Sequence, residues 1–364
     1  MPTMVFHAAY PFNPDSVSAS SIRPIRMFQA FRELGFHIIE VNGYAKERKA
    51  KFVELKRFVE GGGKVDFLYS ESSTIPPSIT ERKHLPPHFF LDDQIFRFCH
   101  RHGIPAGVFY RDIYWKFPDY VERVGRPLAT AMRVLYKAEL RSYMRSCSRV
   151  FLPSLPMARY LPELSGTPVS ALPPGGEIKD QPASQPGVSI LYVGGLGVHY
   201  RLHNLVAAVA QVQGVHLTIC AEKSRWEGVC EEYPQIPHER ITIAHASGAA
   251  LDELYQQATI CSVAVEPLPY WTFASPVKLY EYIGRGKPLI ATEGTLPAKV
   301  VSGAEIGWTT DNSVSGLVAM LTQLRDNPTE IQRATRACLA IRSQHSWQSR
   351  ARQVASELMT NKER

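Results

Sequence analysis

The residues that could do chemistry are densest in the stretch Ser-Pro-Val-Lys-Leu-Tyr-Glu that begins at Ser275. Ser275 is a predicted N-cap, and Pro276 suits the first helical position because the amide hydrogen it lacks would be unbonded there. The amides of Val277 and Lys278 can then bind an anion such as a diphosphate, next to the Lys278 ammonium. Glu281, about one and a half turns further on, can accept hydrogen bonds from a ribose diol. The stretch predicts a nucleotide-binding helix, although serine-proline helix starts and solvated glutamates are common elsewhere.

A glycine-rich turn offers a second group of anion-binding amides. Gly194 and Gly195 follow a predicted strand and precede a predicted helix over residues 202–212. Such a turn can bring backbone amides to a phosphate, and Arg201 is placed to add a positive charge. The motif is short, so its position between strand and helix carries the prediction.

The stretch around residues 110–117 combines charged and aromatic side chains directly after a predicted buried strand. Burying the charges of Arg111 and Asp112 at such a position costs stability, unless the two side chains pair with an opposite charge or act on a ligand. Asp112 could remove a proton from an acceptor hydroxyl, and Tyr114 and Trp115 could stack on a sugar ring. The alternative is a structural Arg111–Asp112 pair with Trp115 in the core.

Two further strand ends carry polar residues. Ser20 is a candidate cap of the first helix, in which Arg23 could face a phosphate or could simply be solvated. Glu71 ends the strand predicted over residues 65–70. Ligands of doubly wound sheets bind beyond the carboxyl ends of the strands, so these side chains are candidate acceptor contacts.

The elements that must position these residues alternate between strands and helices on both sides of a proline- and glycine-rich segment, residues 173–187. This pattern predicts an α/β protein of two doubly wound, Rossmann-like domains. We expect an N-terminal acceptor-binding domain over residues 1–178 and a C-terminal nucleotide-sugar-binding domain over residues 188–345. The final helix, within residues 346–364, is expected to pack back on the N-terminal domain.

Composition narrows the class of protein. The 364 residues carry a net charge of +7, and their six cysteines have no metal-binding spacing. No apolar run approaches the length that spans a bilayer, and no secretory leader is recognisable, so we expect a cytoplasmic protein. The positive charge suits an acidic partner, but no nucleic-acid-binding motif is present. A basic, amphipathic helix over residues 46–64 could instead lie on an anionic membrane surface, or simply pack on its own domain.

The run Ser-Pro-Val-Lys-Leu-Tyr-Glu-Tyr-Ile-Gly-Arg-Gly-Lys-Pro-Leu-Ile-Ala resembles the donor-binding signature of GT-B glycosyltransferases of the family 4 (group 1) type. The N-terminal half is similar to bacterial exopolysaccharide and capsule glycosyltransferases in its motifs Ser-Ser-Ile-Arg-Pro, Tyr-Ser-Glu-Ser-Ser-Thr and Tyr-Arg-Asp-Ile-Tyr-Trp. The resemblance implies that the two domains face a cleft and that His245 lies near the nucleobase. The chain departs from the family pattern at four places. It has Phe273 for a usual glutamate, Gly195 for a frequent arginine and Arg111 for a frequent histidine. In the loop after the first strand, it has residues 18–23 in place of a glycine-rich turn.

Together, these features predict a glycosyltransferase that moves a sugar from a UDP- or GDP-linked donor to a lipid-linked glycan acceptor. We expect the protein to act at the inner face of the plasma membrane. No Asp-x-Asp motif is present, so we expect catalysis without a metal or other cofactor. Two alternatives stay open: a nucleotide-sugar 2-epimerase on the same scaffold, and a non-catalytic sugar-nucleotide-binding partner of a glycosyltransferase complex, which Phe273 makes credible.

Overall fold

A computed structural model of the protein describes residues 1–12, 19–82, 84, 88–183, 187–234 and 236–360, except for the side chains of residues 19 and 20. The backbone packs as two units, residues 1–173 with 347–364 and residues 174–346. Residues 174–178, which we expected in the first domain, therefore belong to the second unit.

The first unit is built on a parallel sheet of six strands in the order β2-β1-β3-β4-β5-β6. The strands are β1 (Thr3–Ala8), β2 (His37–Asn42), β3 (Phe67–Glu71), β4 (Ala106–Phe109), β5 (Arg149–Leu152) and β6 (Val169–Ala171). The helices between them are α1 (Ala19–Glu33), α2 (Ala45–Glu60), α3 (Leu91–Arg101), α4 (Pro118–Val124) and α5 (Arg126–Ser146). Strands β3 and β4 are buried along their whole length, because helices cover both faces of the sheet.

The second unit repeats this architecture with a parallel sheet in the order β12-β11-β10-β7-β8-β9. Its strands are β7 (Val188–Val193), β8 (Val215–Cys220), β9 (Ile241–Ala244), β10 (Ile260–Val263), β11 (Leu289–Thr292) and β12 (Gly307–Thr310). Its helices are α6 (His203–Gln211), α7 (Lys223–Glu227), α8 (Gly248–Gln257), α9 (Val277–Gly284), α10 (Leu296–Gly303), α11 (Val314–Asp326) and α12 (Pro328–Ile341). Two apolar clusters, one on each face of the sheet, form its core.

The last helix, α13 (Trp347–Met359), belongs to the first unit, where it packs against α1, β3 and β4. Gly107 in β4 permits this contact, since a β-carbon there would lie 2.9 Å from a methyl carbon of Leu358. None of the helices in the described ranges combines the length and apolarity that a membrane crossing requires.

The segment that we expected to act as a linker is packed on the second unit along residues 174–182. The Gly176 amide donates to the His345 carbonyl at 2.8 Å, and the Lys179 amide donates to the Gly284 carbonyl at 3.3 Å. A β-carbon on Gly176 would collide with the Tyr280 carbonyl oxygen, and one on Gly284 with the Glu177 carbonyl oxygen. These glycines therefore permit backbone-to-backbone packing of the segment against α9.

We predict that Gly284→Ala destabilises the protein by about 1–3 kcal/mol, because the new methyl group must displace backbone atoms of Glu177. Gly303→Ala is the matched control: Gly303 also ends an eight-residue helix, but no atom lies within 4 Å of its β-carbon position. Urea unfolding measures both. Equal stability of the two variants would show that the segment does not pack tightly on α9.

Candidate functional site

The helix with the predicted nucleotide contacts, α9, is anchored through its apolar face. Leu279, Tyr282 and Ile283 are fully buried. The Val193 amide at the end of β7 donates to the Tyr282 hydroxyl at 2.8 Å. This bond fixes α9 relative to the glycine turn that follows β7.

The start of α9 differs from the prediction by one residue. Pro276 is the N-cap, with extended backbone angles, and Val277 is the first helical residue. The Ser275 hydroxyl is hydrogen bonded to the Tyr280 hydroxyl at 3.1 Å and does not cap the helix. The first amides of α9 still lack intrahelical acceptors, so the helix start keeps its ability to attract an anion.

Lys278 is the most unusual residue of the site. Its Nζ is out of contact with solvent and has no hydrogen-bond partner. It lies 3.9 Å from the ring centroid of Tyr192 and 4.6 Å from that of Tyr200. Burial lowers the pKa of Lys278 to about 7. A buried amine without a hydrogen bond costs stability, so an unmet bond at this place is a mark of a ligand site.

The glycine turn adjoins this amine. Gly194 has φ of +131°, and a β-carbon on it would lie 3.0 Å from Lys278 Nζ. The Tyr192 hydroxyl donates to the Gly195 carbonyl at 2.5 Å, which fixes the turn on β7. The structure thus brings the predicted phosphate turn and the predicted lysine together. Tyr192 and Tyr200 were missed from the sequence, where only their proximity to the turn marked them.

Glu281 lies on the same face of α9 as Lys278. Arg285 contacts its Oε2 at 2.6 Å and lies 3.7 Å from Asp252, which in turn binds Lys179 at 2.7 Å. Arg285 is thus buried among two carboxylates and the ring of Tyr255. This network holds the Glu281 side chain in one orientation, which suits recognition of a diol.

The remaining donor candidates lie near the same edge of the sheet. Arg201 forms an ion pair with Glu266 at 3.3 Å, and both side chains are nearly half exposed. Such a pair is weak and can exchange its carboxylate for a phosphate. His245 follows β9 and is exposed, and its Nδ1 donates to the Ala221 carbonyl at 2.8 Å. This bond leaves Nε2 as the acceptor of the neutral ring.

The polar strand ends of the first unit form a buried charge network. Arg23 Nε donates to Glu71 Oε1 at 3.0 Å, and the Tyr69 hydroxyl donates to the same oxygen at 2.6 Å. Arg111 lies 3.5 Å from Glu71 Oε2 and donates to the Tyr10 hydroxyl at 2.9 Å. Burial raises the pKa of Tyr10 to about 12.

This network corrects two predictions. Arg23 and Glu71 are almost completely buried and bind each other, so the structure gives them a structural role instead of an open acceptor contact. The guanidinium of Arg23 also stacks 3.4 Å from the ring centroid of Phe109, which excludes the solvated alternative. Ser20 lies in the first turn of α1, and its side chain is outside the described part of the structure.

Trp115 is also placed differently from the prediction. It is 2% exposed, stacks on Tyr136 with ring centroids 5.1 Å apart, and donates from Nε1 to the Tyr110 hydroxyl at 3.0 Å. It is a core residue and offers no face to a sugar. Tyr114 is exposed, and Asp112 Oδ1 accepts from the Ile113 amide at 2.7 Å. Asp112 and Tyr114 therefore stay as candidates.

Part of the chain matches a known protein family by sequence. Residues 201–356 match the glycosyl transferase-like family. No curated protein matches the chain by sequence.

Solved structures resemble the chain over nearly its whole length. Sucrose-phosphate synthase from Thermosynechococcus elongatus is 15% identical with a TM-score of 0.64, and the alignment covers 98% of both chains. HepE from Anabaena, solved in complex with UDP, is 13% identical with a TM-score of 0.65 over 99% of this chain and 100% of that one. WaaG, a glycosyltransferase of lipopolysaccharide biosynthesis, is 13% identical with a TM-score of 0.57 over 98% and 99%.

At these identities the likeness establishes the fold, which in each unit is the Rossmann-like fold of these glycosyltransferases. The family match over residues 201–356 covers most of the second unit.

Proposed function

We propose that this protein is a glycosyltransferase that moves a sugar from a UDP- or GDP-linked donor to a lipid-linked glycan acceptor in bacterial surface polysaccharide synthesis. One observation carries the proposal: the Lys278 amine is buried without a hydrogen-bond partner beside Gly194 and the start of α9. A diphosphate supplies the acceptor that this amine lacks. That HepE was solved with UDP and with UDP-glucose supports UDP as the nucleotide.

The donor contacts follow from the geometry of the second unit. The diphosphate is held by Lys278, by the amides of Gly194 and Gly195 and by the first amides of α9, with Arg201 released from Glu266. Glu281 binds the ribose, and the nucleobase lies near His245. Positive charge fixed around the diphosphate stabilises the negative charge that develops on the leaving nucleotide, so no metal is needed for this step.

The acceptor side rests on Asp112, supported by Arg111 and Tyr114. Asp112 removes the proton of the acceptor hydroxyl if the reaction inverts the anomeric carbon, and orients the acceptor if the reaction retains it. Arg111 helps to hold the strand end in place through Glu71 and Tyr10.

We predict that Glu281→Gln weakens UDP or GDP binding at least about tenfold, because the amide loses the charge that strengthens its bonds to the ribose hydroxyls. Isothermal titration calorimetry with UDP, GDP and their sugar conjugates measures this. Glu253→Gln, a change of an exposed glutamate in α8, is the control and should bind as the wild type does.

Asp112→Asn extends the same experiment to the first unit. This variant should keep the nucleotide affinity of the wild type and lose sugar transfer. Nucleotide binding without transfer by the wild type to any lipid-linked glycan would favour the non-catalytic alternative, and interconversion of two nucleotide sugars without an acceptor would favour the epimerase.

The membrane contact is better supported on α5 than on α2. The exposed charged residues of α2 are three basic and three acidic ones, Lys46, Lys49, Arg57, Glu47, Glu54 and Glu60. Arg48 is buried against Asp92 at 3.1 Å. The exposed face of α5 instead carries Arg126, Lys137, Arg141 and Arg145 beside Leu128, Val134 and Met144. Its one acidic residue, Glu139, is buried, and burial raises its pKa to about 8.

We predict that the Lys137→Glu/Arg141→Glu double variant binds vesicles with anionic lipids at least about 30-fold more weakly, since each basic residue at such a surface contributes about 1 kcal/mol. Co-sedimentation with phosphatidylglycerol vesicles measures the partition. The Lys46→Glu/Lys49→Glu variant changes the net charge equally and should lose much less. Equal losses in both variants would indicate attraction by overall charge without an α5 contact.

A further inference from the structure

We propose that donor binding is coupled to the uptake of a proton by Lys278, and that Tyr192 and Tyr200 are positioning residues that hold this side chain dry until the diphosphate arrives. The inference rests on the proposed function, because the diphosphate is the ligand whose negative charge favours the protonated form of Lys278. It goes further in that it makes donor affinity depend on pH and on two aromatic rings.

The geometry isolates the amine. Tyr192 reaches it from β7, Tyr200 from the turn before α6, and the backbone of Gly194 closes a third side. Tyr192 is fully buried and Tyr200 packs edge-on against Trp271, with ring centroids 5.3 Å apart. Rings and backbone thus surround the amine, which is shielded from solvent and has no hydrogen-bond partner in the described part of the chain.

Among the described residues, no ionised group compensates the ammonium form of Lys278. The acidic residue on the same face of α9, Glu281, is bound to Arg285 at 2.6 Å. Burial raises the pKa of Tyr192 well above its usual value, so its phenol stays neutral. The start of α9 bears a partial positive charge, toward which the side chain of a first-turn lysine points. The ring faces favour the cation only in part.

Burial accordingly lowers the pKa of Lys278 to about 7, and about half of the molecules hold a neutral amine at pH 7. A diphosphate in contact with Nζ favours the ammonium form and raises this pKa. Above pH 7, binding must therefore take up a proton from solution. Donor affinity then falls by about tenfold for each pH unit above 7, until the pH reaches the pKa of the bound state.

Calorimetry tests the proton uptake directly. UDP-glucose and GDP-mannose are titrated at pH 8 in two buffers that differ in their enthalpy of ionisation. The diphosphate of a nucleotide sugar does not titrate near this pH. Burial also lowers the pKa of Lys287, to about 8, while its Nζ donates to the Ala258 carbonyl at 2.7 Å. Loss of the proton uptake in Lys278→Arg therefore assigns the proton to Lys278. At pH 8 the wild type should take up about 0.9 proton per donor bound, the fraction of a group of pKa near 7 that is neutral there.

Two variants of Lys278 separate charge from proton transfer. Lys278→Arg keeps a permanent charge, so binding should occur without proton uptake and with an affinity that does not change between pH 7 and 9. Lys278→Met removes the charge and should bind the donor weakly at every pH. The affinity of the wild type should fall towards that of this variant as the pH rises. The two variants are independent tests. If the arginine side chain does not fit the site, the comparison with Lys278→Met still tests the proton uptake.

Tyr200 is tested against its conservative variant. Tyr200→Phe keeps the ring and should keep the midpoint of the affinity–pH curve. Tyr200→Ala removes the ring and lets water reach the amine, so the pKa of Lys278 should rise and the midpoint should move to higher pH. A midpoint that stays or falls in Tyr200→Ala overturns the positioning role.

The outcomes distinguish this inference from the proposed function. Donor binding at pH 8 with no buffer-dependent heat would overturn the proton coupling and leave the proposed function standing. No binding of any nucleotide sugar at pH 6.5, where Lys278 carries its charge, would overturn both.

Discussion

The second unit buries the amine of Lys278 without giving it a hydrogen-bond partner, and the rest of the unit must compensate for that cost. Desolvation of an amine is unfavourable, so other contacts must hold α9 where it is. The Val193–Tyr282 bond provides one, and the packing of residues 174–182 against α9 through Gly176 and Gly284 provides another. The stability of this packing offsets the cost of leaving the Lys278 amine without a hydrogen bond, a local cost that is common at functional sites.

The first unit has the same architecture but treats its strand-end charges differently. Glu71 is surrounded by Arg23, Arg111 and Tyr69, so its charge is compensated inside the unit. Breaking such a network is costly because it leaves a buried charge behind. The network therefore acts as a rigid base for the strand ends that precede Asp112. In the proposed function, the anion-binding charge lies in one unit and the acid–base group in the other.

Much of this was predictable from the sequence. Apolar runs bounded by glycine and proline identified the strands, and the position of polar residues after them identified the edge of each sheet. What the sequence could not reveal was burial by distant partners. Trp115 is enclosed by Tyr136, which comes from helix α5. Arg48 is enclosed by Asp92, 44 residues away along the chain.

The proline- and glycine-rich segment was misread as a linker for a related reason. Glycine is found both in flexible segments and where two backbones pack closely, so the residue type does not distinguish them. The contact with α9, which requires Gly176 and Gly284, is set by tertiary structure. The aromatic rings next to Lys278 likewise come from two separate segments, so no local pattern marks them.

Phe273, where the family pattern has a glutamate, has a physical reason in this chain. It is buried against Tyr270, with ring centroids 5.2 Å apart, and Tyr270 continues through Trp271 to Tyr200, one of the two rings at the Lys278 amine. A carboxylate in this aromatic cluster would be desolvated, and its charge would favour the ammonium form of a nearby lysine. With phenylalanine in its place, the cluster adds no negative charge near Lys278. In the proposed mechanism, the electrostatic gain of charging the amine then comes when a diphosphate binds.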